Sequence, residues 1–188
     1  MKNSIFIILI IFYQILFFNK IFAKEIEFDA SDIEINNNQN LTTANNGIAK
    51  IKEDKIIIEG IKIEYFKDKS LIVVSQGKVF KTDINIEIRS EKIRYQIKDG
   101  KISFTNKVKI DDQKNNFLIF SDKINYDLVN KKVIGEGNSK IIDEFDNTYL
   151  VNDFEYIIKD KVIKLNNTKV TDQNNNIFEL EMAYLDLN

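Results

Sequence analysis

Acidic side chains are the first candidates for chemistry in this chain, because the other usual agents are missing. Its 188 residues include 29 Asp and Glu but no His and no Cys. Without His, no side chain titrates near neutrality unless its surroundings shift it. There can be no Ser-His or Cys-His nucleophile pair, and no zinc site of Cys/His type. A carboxylate pair acting on a glycosidic bond is the remaining catalytic option. No acid sits in a distinctive motif, however, so the protein is not expected to be an enzyme. The run Asp111-Asp112-Gln113-Lys114-Asn115-Asn116 places two acids together, as a calcium loop would. It lacks the alternating acids and central Gly of such a loop and reads as a solvated turn. No metal and no cofactor are expected. Asn166-Asn167-Thr168 matches a glycosylation acceptor, which has meaning only in a eukaryotic secretory route.

What remains is recognition by apolar surface, and the elements that would build such a surface are repeated. In Ile93-Arg94-Tyr95-Gln96-Ile97-Lys98, apolar and polar residues alternate, the period of a strand with one wet and one dry face. Asp99-Gly100 follows, a turn signal between two alternating runs. The pattern recurs. Ile56, Ile58, Gly60, Ile63, Tyr65 is followed by Ile86, Ile88, Ser90, Ile93, Tyr95, and then by Phe117, Ile119, Ser121, Ile124, Tyr126. Weaker copies are Ile26, Phe28, Ala30, Ile33, Ile35 at the start, Tyr149, Val151, Phe154, Tyr156 later, and Ile177, Glu179, Met182, Tyr184 at the end. The last slot falls at 35, 65, 95, 126, 156 and 184, steps of 30, 30, 31, 30 and 28. A second marker, Gly47, Gly77, Asn106, Gly137, Asn167, keeps the same period. A fixed period of this size denotes a repeat architecture, here one of strands.

Within each copy the apolar slots step by five across a small residue, as from Ile88 to Ile93 across Ser90. An odd step reverses the inward face unless the strand bends or bulges there. Each unit is therefore expected to be a hairpin folded at a corner, with the units stacked into a flattened, two-walled roll over a long apolar interior. Ile61, Ile63 and Tyr65 are placed on one face, with Lys62 and Glu64 on the other. The inward set is Ile33, Ile35, Ile63, Tyr65, Ile93, Tyr95, Ile97, Phe104, Ile124, Tyr126, Phe154 and Tyr156. Two roles are open to it: a packed core, or a greasy groove that opens along one edge and holds acyl chains, with Lys and Arg at the rim meeting anionic head groups.

With 44% hydrophobic and 30% charged residues the composition is that of a globular protein. Net charge is −2, and more negative from Lys24 onward because Lys2 and Lys20 drop out with no acid. No basic face for nucleic acid is expected. Residues 1–23 read as a signal peptide: Lys2, an apolar stretch from Ile5 to Phe18 broken only by Gln14, then Lys20 and Ala23. A retained anchor is the alternative, although the stretch falls short of the ~20 residues a spanning helix needs. Residues 24–188 form the domain, which in either case leaves the cytoplasm.

The unit Ser90-Glu91-Lys92-Ile93-Arg94-Tyr95, its copy Ser121-Asp122-Lys123-Ile124-Asn125-Tyr126, and the step Gly77-Lys78-Val79 together resemble the OstA-like β-jellyroll family. That family comprises LptA, LptC and the N-terminal domain of LptD. The resemblance covers residues 26–187. It departs at Ile35, which stands in a Tyr slot, and at Asn106 and Asn167, which stand for Gly. It implies an all-β, flattened jellyroll without enzymatic activity. It also implies a role in lipopolysaccharide transport in the periplasm of a Gram-negative bacterium, free or associated with the outer membrane, with lipid A acyl chains in the groove. The implied partners are other Lpt jellyrolls, paired edge to edge. A stand-alone LptA-like protein and the front of an LptD-type protein both fit. The competing expectation is an exported structural or adhesive β-repeat protein with a packed core and no lipid.

Overall fold

A computed structural model describes residues 24–187; the signal peptide read in residues 1–23 lies outside the described residues. The alternating pattern produces eleven strands: β1 (Ile26–Asn36), β2 (Leu41–Ile51), β3 (Ile56–Phe66), β4 (Leu71–Lys81), β5 (Ile86–Gln96), β6 (Lys101–Asp112), β7 (Phe117–Asp127), β8 (Lys132–Ile142), β9 (Thr148–Ile157), β10 (Val162–Thr171) and β11 (Ile177–Asp186). A 3-10 turn, Asn37–Gln39, joins β1 to β2. Each strand pairs antiparallel with the next, so one open sheet runs in chain order from β1 to β11. The thirty-residue period is one hairpin of this meander. At the hairpin read from Asp99-Gly100, Gly100 adopts φ +62° and its N–H donates to the carbonyl of Ile97 at 3.3 Å.

Every strand turns a corner near its midpoint. Ala30, Gly47, Gly60, Gly77 and Ser90 stand opposite one another on successive strands, a row of small residues along the corner. The crowding there explains the glycines. A Cβ on Gly60 would collide with Cγ1 of Val74, and one on Gly77 with the carbonyl of Glu59. In β5 and β7 serine takes the place of glycine, and the register shifts across the corner between β5 and β6, β6 and β7, β7 and β8, and β8 and β9. The serine hydroxyls accommodate the bulge: Ser90 Oγ donates to the carbonyl of Lys92 at 2.9 Å, and Ser121 Oγ to that of Lys123 at 3.1 Å. The even strands bend through left-handed residues. Asn106, Gly137 and Asn167 have φ of 66°, 84° and 49°. Asn is the residue that tolerates this region best after Gly, so Asn106 and Asn167 keep the bend. In β2 and β4 the left-handed residue is instead Asn46 or Gln76, one position before the marker glycine.

The corner folds the single sheet upon itself, so the two walls expected from sequence are two halves of the same strands. The first wall holds the halves of odd strands before the bend and of even strands after it. Its turns are residues 52–55, 82–85, 113–116, 143–147 and 172–176. The second wall holds the other halves, with turns at 37–40, 67–70, 97–100, 128–131 and 158–161. Between the walls lies one apolar core from Ala44 to Leu165. Rings touch across it: Phe28 of the first wall lies 6.3 Å from Tyr65 of the second, and Phe117 meets Tyr156 edge-on at 5.2 Å.

Two facing assignments change. Ile61 is exposed at the corner, because the bend after Gly60 interrupts the alternation before Ile63 resumes it. In β11 the inward face is displaced by one. Ala183 and Leu185 pack against the core opposite Leu165 and Ile163, and Tyr184 is 61% exposed.

Candidate functional site

The inward set resolves into three groups. Ile63, Ile93, Tyr95, Ile97, Phe104, Ile124, Tyr126, Phe154 and Tyr156 are buried in the one core. Tyr65 is half-buried and packs against it. Ile33 and Ile35 stay 42% and 68% exposed. They still share the inner face, since Ile33 stands opposite the buried Ala44, which stands opposite the buried Ile63. They are bare because the walls are offset along the roll. Tyr65 faces Phe28, and Tyr156 faces Phe117, so the second wall of each unit lies over the first wall of the preceding region. Among the described residues no strand precedes β1 to cover Ile33 and Ile35.

The far end shows the converse. Phe178 and Leu180, in the first-wall half of β11, lie opposite Val170 and the buried Thr168, and are 50% and 42% exposed. The apolar interior thus runs the length of the sheet, with one bare inner wall at each end and, among the described residues, the edge strands β1 and β11 beside them. The middle is filled: Tyr95, Phe104, Phe154 and Tyr156 are among the largest fully buried side chains.

Where the two rows of turns meet, opposite the corner, the walls close along a seam in which inward tyrosines meet acids of the turns. Asp54 of a first-wall turn takes the Tyr95 hydroxyl from the second wall, and its carboxylate pairs with Lys24 Nζ at 2.6 Å. Lys24 Nζ also reaches the carbonyl of Ile97, across the seam, at 3.4 Å. Two units further on, Tyr156 donates to Asp112 Oδ2 at 2.9 Å. Between these rungs, burial and then the Asp83 charge hold the Tyr126 phenol above its ordinary range. The separations in sequence are 41, 43 and 44 residues, the offset of the walls expressed as chain length.

Asp112 corrects the solvated turn expected for residues 111–116. Gln113, Lys114 and Asn116 are exposed, but Asp112 is 0% exposed. A buried carboxylate is tolerable only when donors surround it. Here they are the Tyr156 hydroxyl, Asn115 N at 3.0 Å and Asn115 Nδ2 at 2.8 Å. A sequence signal for this seam existed. Asp54, Asp83, Asp112, Asp143 and Asp172 recur at steps of 29, 29, 31 and 29, hidden among many surface acids. Burial, then the Asp54 hydrogen bond, holds the Tyr95 phenol well above its ordinary range. Burial, then the Asp112 charge, does the same for Tyr156. Burial pushes Tyr149 up to about 12, its hydroxyl donating to Asp143.

The two rows of turns are not equally secured. On the second wall each turn is tied to the next by a backbone hydrogen bond: Lys67 N to Asn40 O, Ile97 N to Ser70 O, Leu128 N to Gly100 O, Ile158 N to Lys131 O and Leu187 N to Lys161 O, all between 2.8 and 3.0 Å. On the first wall, among the described residues, only Thr82 N to Lys55 O is such a tie. Outside the roll, an open trough of about 790 Å³ follows the corner, lined in part by Glu59, Lys78, Arg89 and Glu91. Their charges are already paired: Lys78 with Glu59 and Glu87, Arg89 with Glu87, and Glu91 with Lys107.

No family model matches this chain, and no curated protein matches it. Among solved structures the chain is similar to LptH from Pseudomonas aeruginosa, described as the LptA homologous periplasmic component of the conserved lipopolysaccharide transport device. Identity is 12%, the TM-score is 0.31, and the match covers 84% of this chain and 94% of that one. A likeness of that size carries no functional argument.

Proposed function

We propose that this protein is a non-enzymatic periplasmic carrier that holds lipopolysaccharide acyl chains between its two walls and relays them toward the outer membrane of a Gram-negative bacterium. It would act as an LptA-like protein or as the N-terminal jellyroll of an LptD-type protein. The observation that carries the reading is the offset apolar interior, bare on one inner wall at Ile33 and Ile35 and on the other at Phe178 and Leu180. A core built only for stability gains from closing its ends, because exposed apolar area forgoes about 25 cal/mol per Å². Here the interior continues to both edge strands, and unpaired edges accept a further strand from a neighbour. A second jellyroll docked there would extend the same interior, which fits relay from one module to the next.

A photo-crosslinking residue at Tyr95 or Tyr126, both inside the core, is expected to capture lipopolysaccharide in cells. The same group at the exposed Arg94 is expected to capture none. The second reading is an exported structural or adhesive repeat protein with a packed core and no lipid. The filled middle of the interior favours it. Absence of capture at Tyr95 and Tyr126 would establish that reading and end the first.

A further inference from the structure

We infer that the seam is the parting line through which an acyl chain enters the interior, and that the Tyr–Asp rungs are its latch; the inference rests on the carrier reading above. The middle of the interior leaves no room for a chain beside Tyr95, Phe104, Phe154 and Tyr156. The walls must therefore separate to admit one. The corner cannot be where they separate. Its strands are continuous through the bend, and the close approach of Gly60 and Gly77 to the neighbouring strands leaves no slack. The opposite margin has no covalent continuity between the walls. Among the described residues its polar ties from wall to wall include the Tyr95 hydroxyl to Asp54, Lys24 Nζ to the Ile97 carbonyl, and Tyr156 with Asp112 and Asn115.

The asymmetry of the turns assigns the moving side. The second-wall margin is laced by five backbone hydrogen bonds and stays together as a strip. The first-wall margin, which supplies Asp54 and Asp112, has one such backbone bond among the described residues, and its other links run through side chains: Thr82 Oγ1 to the Lys55 carbonyl, Asn85 to Gln113, and Gln173 N to Asn147 Oδ1. Opening moves this margin outward, breaking the rungs and hydrating both carboxylates. An acid on one wall and a phenol on the other suit the task. Both groups find good partners in water once parted, whereas an all-apolar seam would expose only greasy surface. Opening therefore adds only the net worth of these hydrogen bonds to the cost of parting the walls, because water replaces the lost partners.

The chain has no cysteine, which makes the test direct. Glu53→Cys and Lys98→Cys, on exposed residues beside Asp54 and Ile97, are joined by a short bismaleimide, and lipopolysaccharide uptake is timed with a photo-crosslinker at Tyr126. Joining the thiols should slow capture at least about tenfold relative to the unjoined protein. Tyr95→Phe and Asp54→Ala should each speed it by roughly tenfold, the worth of one hydrogen bond to a charged group, and the double variant should add little more. The bridged protein keeps every rung, so it tests the seam even if a rung variant fails to fold. Capture indifferent to the bridge means entry through the ends and overturns the latch, leaving the carrier reading intact. Absence of capture in every form, unjoined protein included, overturns both.

Discussion

Asp112 is the residue whose energetics are most exposed to test. Its carboxylate is enclosed, and the Tyr156 hydroxyl is one of its three donors. Tyr156→Phe keeps the ring that packs on Phe117 but removes that donor, so it should cost ~1–3 kcal/mol in urea unfolding. Loss of a phenol hydroxyl at the exposed Tyr184 should cost nothing measurable. The tyrosines also define an alkaline limit. Tyr95, Tyr126, Tyr149 and Tyr156 are raised above the ordinary phenol value of 10.0, chiefly by burial. The folded state therefore holds these protons after the unfolded chain has begun to lose its own. Their contribution is complete below pH 10, shrinks as pH climbs through 10 toward 12 and beyond, and is not recovered. The urea midpoint should be insensitive to these groups up to about pH 10 and decline above it, with tyrosinate absorbance appearing together with unfolding. A flat midpoint through pH 12 would contradict the buried seam.

At the scale of the strand, the bend is the controlling feature. Gly60→Val should destabilise by ~1–3 kcal/mol, because the new side chain collides with Val74 across the hairpin. Gln76→Gly should stabilise by up to about 1–2 kcal/mol, since a left-handed residue with a Cβ, here at φ 47°, carries a steric penalty that glycine escapes. Thermal melts of the two variants should move in opposite directions. If both are neutral, the corner is not where this sheet is constrained. The spacing already located these bends: a step of five across a small residue forces a break in alternation, and the structure places the break at Ala30, Gly60, Ser90 and Ser121. Whether the left-handed residue would be the marker itself or its predecessor was not legible. That choice depends on which strand of the pair takes up the extra residue, a matter of cross-strand register.

For the whole molecule, the two faces of one strand should respond oppositely to charge. Ile93 is fully buried and its neighbour Arg94 is exposed. Ile93→Asp should cost more than ~4 kcal/mol and abolish cooperative unfolding, whereas Arg94→Asp should stay within about 0.5 kcal/mol. Circular dichroism melts compare them directly.

Short-range regularities in the chain were enough to establish an all-β repeat of bent hairpins, the absence of His and Cys chemistry, and the inner face of most strands, because alternation and the thirty-residue period are local properties of covalent geometry. Three things waited for the fold. The offset between the walls decided that Ile33 and Ile35 would be bare while Ile63 and Ile93 are covered. Residues more than forty positions apart became partners, turning Asp54 and Asp112 from ordinary turn acids into members of a seam. The displaced face of β11 sent Tyr184 outward. Each depends on how far one wall slides over the other before it packs, and that distance is set by the summed twist and bulges of eleven strands, which no single repeat encodes.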